Sequence, residues 1–424
     1  MERKIKYLEL VEGSFNESHF NKQKNQNPYV AYSIGEDKVI YTIIPKPGVY
    51  DPWVTFTAEE ANSTIRLSKL STNQTLEYSA DTTTWNTFDT TTNISLNSGD
   101  KVYVRGILST DNTTSQYTQF KMTGKIAASG NCNAIGNYED LEAPLKKYCY
   151  YRMFYGCAAL VEAPELPATT LTDSCYSGMF RECSSLVEAP ALPATTLATE
   201  CYYDMFDRCT ALVEAPALPA TTLATKCYYY MFNVCTSLTT VPDLPATTLA
   251  NECYKNMFYG CTALVKAPAL PATSLEDQCY HSMFIRCTSL TEAPALPATS
   301  LAQSCYSSMF SGCTSLVKAP ALPATTLANG CYGSMFSGCE SLVDVPVLPA
   351  TTLVKQCYYS LFNNCSSLNS VTCLAKTNIN TTNTYCWLSG VSSTGTFYKN
   401  PEATNWSAGV SGTPTNWTVE DYAG

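Results

Sequence analysis

At 424 residues the chain is longer than one hydrophobic core usually serves, so two or three structural units are expected. With 45% hydrophobic and only 15% charged residues, its composition is that of an ordered protein and excludes a disordered one. A net charge of -10 and a pI near 4.9 exclude bulk nucleic-acid binding, because phosphate contacts need a basic face.

The start, from Met1 to Gly13, holds basic residues but no apolar run long enough for a signal peptide. The expectation is therefore export by another route, a leader upstream, or assembly inside a cell. No stretch approaches the ~20 apolar residues of a membrane span. Residues 1–48 mix polar and aromatic types without a clear period and read as an attachment segment that orders against a partner. Within them Asn25–Pro28 reads as a turn and Lys38–Ile44 as a strand ending at Pro45.

Residues 49–127 read as all-β. Short runs rich in β-branched and aromatic residues, such as Trp53–Thr57, Ser63–Leu67, Leu76–Ser79, Lys101–Arg105 and Tyr117–Met122, alternate with turn clusters such as Ser98–Asp100. About seven short strands at that spacing predict a small sandwich. The segments Tyr78–Trp85 and Leu96–Tyr103 resemble accessory sandwich modules of gut-bacterial surface proteins and phage structural proteins, which implies a spacer.

From residue 128 the chain turns repetitive. A Cys-Tyr pair recurs at Cys149, Cys175, Cys201, Cys227, Cys253, Cys279, Cys305, Cys331 and Cys357, always 26 residues apart. So strict a period marks a solenoid, in which units too short to bury their own apolar face stack into a continuous core. Eighteen of the 21 cysteines are the two fixed positions of this unit, Cys149 and Cys157 through to Cys357 and Cys365. Their spacing matches no common zinc pattern, so a ladder of reduced, buried thiols is expected, with no metal and no cofactor. Within a unit, residues 197–208 fit a helix with Thr196 as N-cap, since Cys201, Met205 and Cys209 recur at i, i+4 and i+8. Leu212, Ala215 and Leu218 then mark a short strand that Pro216 and Pro219 bend toward the next helix.

The unit resembles the bacterial-surface (BspA-type) leucine-rich repeats. The likeness rests on Phe206, on Cys209–Leu212 (Gly260–Leu264 in fuller form) and on the turn at Leu218–Pro219, and it covers residues 149–374. Pro216 and the Ala220–Thr222 connection lengthen the unit, and Met205 stands where the family usually has alanine. The implied fold is an α/β leucine-rich-repeat solenoid of nine helix-plus-short-strand repeats over residues 128–374, preceded by the all-β sandwich. The implied role is adhesion or ligand display rather than catalysis. Residues 375–424, with Trp387, Trp406 and Trp417, are expected to cap the stack, because the last unit decays at Leu361, Thr372 and Ala375.

Nothing in the chain resembles a catalytic constellation. Only two histidines exist, His19 and His281, and His281 sits in a variable column that is expected to face solvent. No nucleophile triad, phosphate loop or clustered ligand set occurs, so the chain reads as no enzyme. The sequons at Asn62, Asn73, Asn93 and Asn112 are most simply Asn/Thr-rich loops. One charged column, Glu162, Glu188, Glu214, Thr240, Lys266, Glu292, Lys318 and Asp344, reads as a solubilising stripe on the strands. The candidate binding surface lies on the predicted helices: Tyr151, Tyr155, Arg181, Tyr203, Arg208, Tyr229, Tyr259, His281 and Arg286. Tyrosine and arginine are enriched at interaction hot spots, and aromatic rings also stack on sugars.

The reading that follows is a non-catalytic attachment protein. As a phage virion component, a fibre or appendage, it would dock on other virion proteins through residues 1–48 and on a host surface protein or glycan through the solenoid. The alternative is a bacterial cell-surface adhesin. A trimer is the oligomer expected of such fibres.

Overall fold

The computed structural model describes the backbone of Tyr29–Gly35 and Lys38–Pro45 and all of residues 51–424. It divides into two compact units, Met1–Asp51 and Pro52–Gly424. In the first, β1 (Tyr29–Gly35) and β2 (Lys38–Pro45) form an antiparallel hairpin whose register runs from Ala31↔Thr42 to Gly35↔Lys38. The turn expected at Asn25–Pro28 and most of the attachment segment lie outside the described residues.

The second unit begins with β3 (Val54–Ala58), β4 (Ser63–Lys69), β5 (Gln74–Ser79), β6 (Asn86–Thr87), β7 (Asn93–Leu96), β8 (Lys101–Leu108), β9 (Gln119–Thr123) and β10 (Ile126–Ser129). Alternate residues of β3, β4 and β8 are buried, the period-2 pattern of strands with one face turned inward. One sheet has the order β10-β3-β8-β5-β6, extended at the β10 edge by the strand Leu160–Glu162, and the other β7-β4-β9. Their inner faces meet through aromatic rings: Phe56 on β3 lies 5.5 Å from Phe120 on β9, and Phe88 lies 6.0 Å from Phe120.

This β region does not end where the repeats begin. Strand β11 (Leu160–Glu162) belongs to the first repeat yet pairs in parallel with β10. The Phe120 N–H donates to the Met153 carbonyl at 2.8 Å, and Phe154 stacks on Phe120 at 5.3 Å. The first coil thus has a covered inner end, which every stacked repeat needs. One buried core runs from Val54 to Trp417.

The helix expected over 197–208 does not form, and the same holds in every repeat; α1 (Asn133–Asn137) is the one α-helix among the described residues. The segment is instead a ribbon of turns. Alternate amides close locally: Tyr203 N–H donates to the Glu200 carbonyl at 3.2 Å and Cys209 N–H to that of Phe206 at 3.0 Å. The amides between them reach the next coil. Tyr202, Asp204, Phe206 and Arg208 donate to the carbonyls of Cys227, Tyr229, Met231 and Asn233 at 2.7 to 3.1 Å. Every fourth residue is left-handed, with φ 56° at Glu200, 43° at Asp204 and 60° at Arg208, and a right-handed helix admits none of these. The strands expected after each ribbon are also largely absent. Between successive coils beyond the first they shrink to isolated parallel bridges such as Glu188↔Glu214 and Lys266↔Glu292, because the prolines beside them lack the N–H a ladder needs.

The core follows the fixed positions. Cys201, Tyr202, Met205, Phe206, Cys209 and Leu212 are buried, and their counterparts stack in columns. Tyr202 and Tyr228 are 5.8 Å apart and nearly parallel, as are Phe206 and Phe232 at 5.5 Å. All the cysteines are free thiols, and all but the partly exposed Cys386 are buried. Burial raises the thiols, with Cys287 pushed up to about 12.

The stack also continues past the last Cys-Tyr pair. Tyr358, Ser360, Phe362 and Asn364 donate to the carbonyls of Asn383, Tyr385, Trp387 and Ser389 in the ladder pattern of the earlier coils. Residues 383–391 are therefore a tenth turn ribbon. Trp387 takes the methionine place, stacks on Tyr358 at 6.3 Å and is covered by Trp406 at 5.2 Å. Strands β12 (Ser370–Cys373), β13 (Gly395–Lys399) and β14 (Trp417–Asp421) form a parallel sheet, and its pair Ser370↔Thr396 keeps the 26-residue step.

Candidate binding surface

A turn ribbon sorts its residues by position. The places of Cys201, Tyr202, Met205, Phe206 and Cys209 point inward, leaving those of Tyr203, Asp204, Asp207 and Arg208 on the outer side. All nine sequence-predicted residues occupy these outer columns: Tyr151, Tyr203, Tyr229 and His281 in one, Tyr155, Arg181 and Tyr259 in a second, Arg208 and Arg286 in a third. Coils stack in register, so residues 26 apart are neighbours in space.

The first coils gather several of them. The Arg152 guanidinium lies 5.1 Å from the Tyr151 ring and 5.5 Å from the Tyr155 ring, and Arg181 lies 5.8 Å from Tyr155. Gly178 makes room, since a Cβ there would meet Arg152 Cγ at 3.1 Å. Arg181 then turns inward: Nη1 donates to Asp204 Oδ2 at 2.6 Å, and Nε lies 3.0 Å from Asp207 Oδ2 in an ion pair. Asp207 Oδ1 accepts from Asn233 Nδ2 at 2.6 Å. Both carboxylates are buried, which is unusual for unpaired acids and explains the arginine between them. Burial pushes the Asp204 carboxyl up to about 6, and Arg181 only partly offsets it.

Next along the ridge, Tyr203 and Tyr229 stack at 5.0 Å, Tyr230 meets Tyr229 edge-on, and the Lys255 ammonium lies 5.4 Å from the Tyr229 ring. Lys255 also donates to Glu252 at 2.9 Å and Gln278 at 2.7 Å. His281 is not the surface residue that its variable column implied. It is half-buried between coils, and burial, with Lys255 nearby, pushes it down to about 4. A variable side chain in this column still lies along the stack, against the coil beside it. Arg208 extends into solvent, 58% exposed, while Tyr259 and Arg286 stand apart from the cluster. Sequence reading missed Arg152, Asp204 and Asp207; aligning the outer columns for opposite charges one coil apart would have found the Arg181 pairs.

The charged column on the opposite segment is exposed from Glu188 to Asp344, with Lys318 Nζ 2.7 Å from Asp344 Oδ2 and exposed Val187, Val213, Val265, Val317 and Val343 alongside. Among the described residues no group of three or more His, Cys, Asp or Glu could hold a metal ion, and no helix is long and apolar enough to cross a membrane.

The family model for the BspA type leucine rich repeat region matches residues 199–329 and 278–398, in six copies. The chain carries BspA-type leucine-rich repeats. The BspA-type match runs to residue 398 and so takes in the tenth ribbon at 383–391, which no Cys-Tyr pair marks. No curated protein matches the chain, and no solved structure does. Proteins with these repeats typically interact with other proteins or adhere to surfaces, and they are generally found on the cell surface without being enzymes.

Proposed function

We propose that this is a non-catalytic attachment protein whose BspA-type repeats stack as a solenoid and bind a partner through the outer side of the turns. The observation that carries the reading is the cluster of Tyr151, Arg152, Tyr155 and Arg181, four hot-spot side chains held together on a rigid ladder. A surface fixed by inter-coil hydrogen bonds loses little conformational freedom on binding, which favours affinity. In this reading residues 1–48 anchor the chain, 49–127 form a sandwich that spaces and caps it, 128–374 are the solenoid and 375–424 close it. The partner is a host surface protein or glycan, with no nucleic acid involved.

Two settings fit. Display on a bacterial cell surface is favoured by the repeat family, whose members are generally found there. Assembly into a phage virion, as a trimeric fibre docked on other virion proteins, is the other setting, and the likeness of Tyr78–Trp85 and Leu96–Tyr103 to accessory modules of gut-bacterial surface and phage structural proteins fits either. Immunogold labelling of intact cells and of purified particles separates the two. For the binding surface, beads coated with the full chain should adhere to immobilised bacterial envelopes and surface proteins. The double variant Tyr155→Ala/Arg208→Glu should adhere at least about tenfold less; equal adhesion rejects the reading.

A further inference from the structure

The outer side of the turns changes character at Arg286. Before it, the outer positions of successive coils carry Arg152, Arg181, Glu182, Asp204, Asp207, Arg208, Lys255 and Arg286. After it they carry no charge at all: Ser307, Ser308, Ser311 and Gly312, then Gly333, Ser334, Ser337 and Gly338, then Tyr359, Ser360, Asn363 and Asn364. Residues of these types make adaptable hydrogen bonds around rigid aromatic anchors, the composition of surfaces that recognise ligands without using charge.

This stretch also has a recess. Tyr359 is 37% exposed and stacks on Tyr385, itself 41% exposed, at 5.7 Å on one side. Its column neighbour on the other side, one coil away, is Gly333, which has no side chain to cover the ring. The equivalent face of Tyr229 is occupied by Tyr203. The ring thus walls a shallow notch floored by Gly333, where a Cβ would lie 3.3 Å from the Gln356 carbonyl and 3.7 Å from Ser307 Oγ. Its surroundings supply hydrogen-bonding groups of both kinds. Ser307 Oγ donates to the Gly333 carbonyl at 3.2 Å and Ser311 Oγ to the Ser337 carbonyl at 3.1 Å, so each hydroxyl oxygen keeps lone pairs to accept with. Ser308, Ser334 and Ser360 form a parallel row whose hydroxyls have no partner among the described residues.

We propose that this uncharged stretch, centred on Tyr359 and the notch over Gly333, is a binding site for a neutral polysaccharide. A sugar ring has an apolar C–H face to stack on an aromatic ring and a rim of hydroxyls that both donate and accept. The outer positions of these three coils offer a charged ligand no counter-ion, the nearest charge being Lys355 at their edge, and a protein hot spot would want more buried apolar area than two tyrosines give. The repeat of hydroxyls from coil to coil suits a polymer that runs along the stack. The inference rests on reading the outer side of the repeats as a binding surface, but it uses other residues than the Tyr155 cluster.

The test is affinity electrophoresis of the full chain in native gels containing starch, a β-glucan, a mannan or a galactan, with alginate as the anionic comparison. Wild type should be retarded by at least one neutral polymer and not by alginate. Tyr359→Ala should weaken that retardation by about tenfold, the loss of one aromatic stacking partner. Gly333→Tyr should abolish it by extending the tyrosine stack over the Tyr359 ring, as Tyr203 does beside Tyr229, with the Gln356 carbonyl, 3.3 Å from the added Cβ, giving way by a few tenths of an ångström. Wild-type mobility in all four neutral gels overturns the proposal, and so does equal retardation of wild type and both variants. Tyr155→Ala/Arg208→Glu should leave retardation unchanged. Wild type that is retarded but whose coated beads do not adhere therefore counts against the first surface alone, and wild type whose beads adhere but that no neutral polymer retards counts against this site alone.

Discussion

The thiol of Cys209 donates a hydrogen bond to the carbonyl oxygen of Phe180, 29 residues upstream, at 3.1 Å. The same bond recurs from Cys183 to Phe154, Cys235 to Phe206 and Cys261 to Phe232. The Phe180 carbonyl also accepts the Cys183 N–H at 3.0 Å, so the thiol satisfies the oxygen's second lone pair. Cysteine suits the position as a small, readily buried residue with one weak donor. Replacing it, Cys209→Ala, should cost about 1–2 kcal/mol from the lost bond and the void. Chemical denaturation measures that cost, and Cys235→Ala should match it because its surroundings are the same.

Thiol reactivity should follow burial. Twenty of the 21 cysteines are buried and Cys386 is partly exposed. Burial raises the thiols, so few are present as the reactive thiolate. Alkylation of the native protein should therefore modify Cys386 alone, and alkylation in denaturant all 21. Mass spectrometry reads both numbers, and rapid labelling at Cys209 or Cys253 in the native state would contradict the stacked core.

The tyrosine column makes a directional prediction. Tyr280 is buried, and its hydroxyl has no hydrogen-bond partner among the described residues, whereas the Tyr150 hydroxyl donates to Asn133 Oδ1 at 3.3 Å. An unmet buried hydroxyl costs stability, so Tyr280→Phe should stabilise the protein by about 1 kcal/mol. Tyr150→Phe should destabilise it by a similar amount. Equal effects from the two substitutions, seen in melting temperature, would show that the hydroxyls are not the difference.

Acid should act on two buried groups in opposite senses. Asp204 has its carboxyl raised by burial to about 6 from an ordinary 3.8, so on acidification the folded protein gains this proton before the unfolded chain does. Its contribution therefore grows as pH falls from 6 toward 4. His281 is lowered to about 4 from 6.5, so there the unfolded chain takes the proton first and stability falls over nearly the same range. Asp204→Asn should steepen the loss of stability between pH 6 and 4, and His281→Gln should reduce it. Urea titrations at several pH values test both slopes, and parallel curves for both variants and wild type reject the assignment.

Trp387 closes the core, fully buried, with its indole Nε1 donating to the Gly412 carbonyl at 2.6 Å. Trp387→Ala should cost about 3–5 kcal/mol and act first on the tenth ribbon. Hydrogen exchange should quicken at residues 383–391 before it does at the coils near Cys201.

How much of this was legible in the sequence differs from element to element. The 26-residue period assigned the core positions, because Cys201, Tyr202, Met205 and Phe206 return with every unit and a stack must bury whatever it repeats. It did not reveal the coil at 383–391, where Asn383, Thr384, Trp387 and Leu388 replace Cys, Tyr, Met and Phe. Of the candidate surface, the outward column of Tyr155 and Arg181 could be read from variability, but the burial of Asp204 and His281 could not, since it depends on which side chain stands one coil away.

The sequence by itself determined the repeat, its apolar positions and its thiol columns. Whether those positions lie on a helix or a turn ribbon was decided only in the tertiary structure. Apolar residues at i, i+4 and i+8 suit a right-handed helix and equally a chain of four-residue turns. Left-handed residues such as Glu200, Asp204 and Arg208 are costly in isolation and hold because the amides between them bond to the next coil, a partner that no single repeat contains.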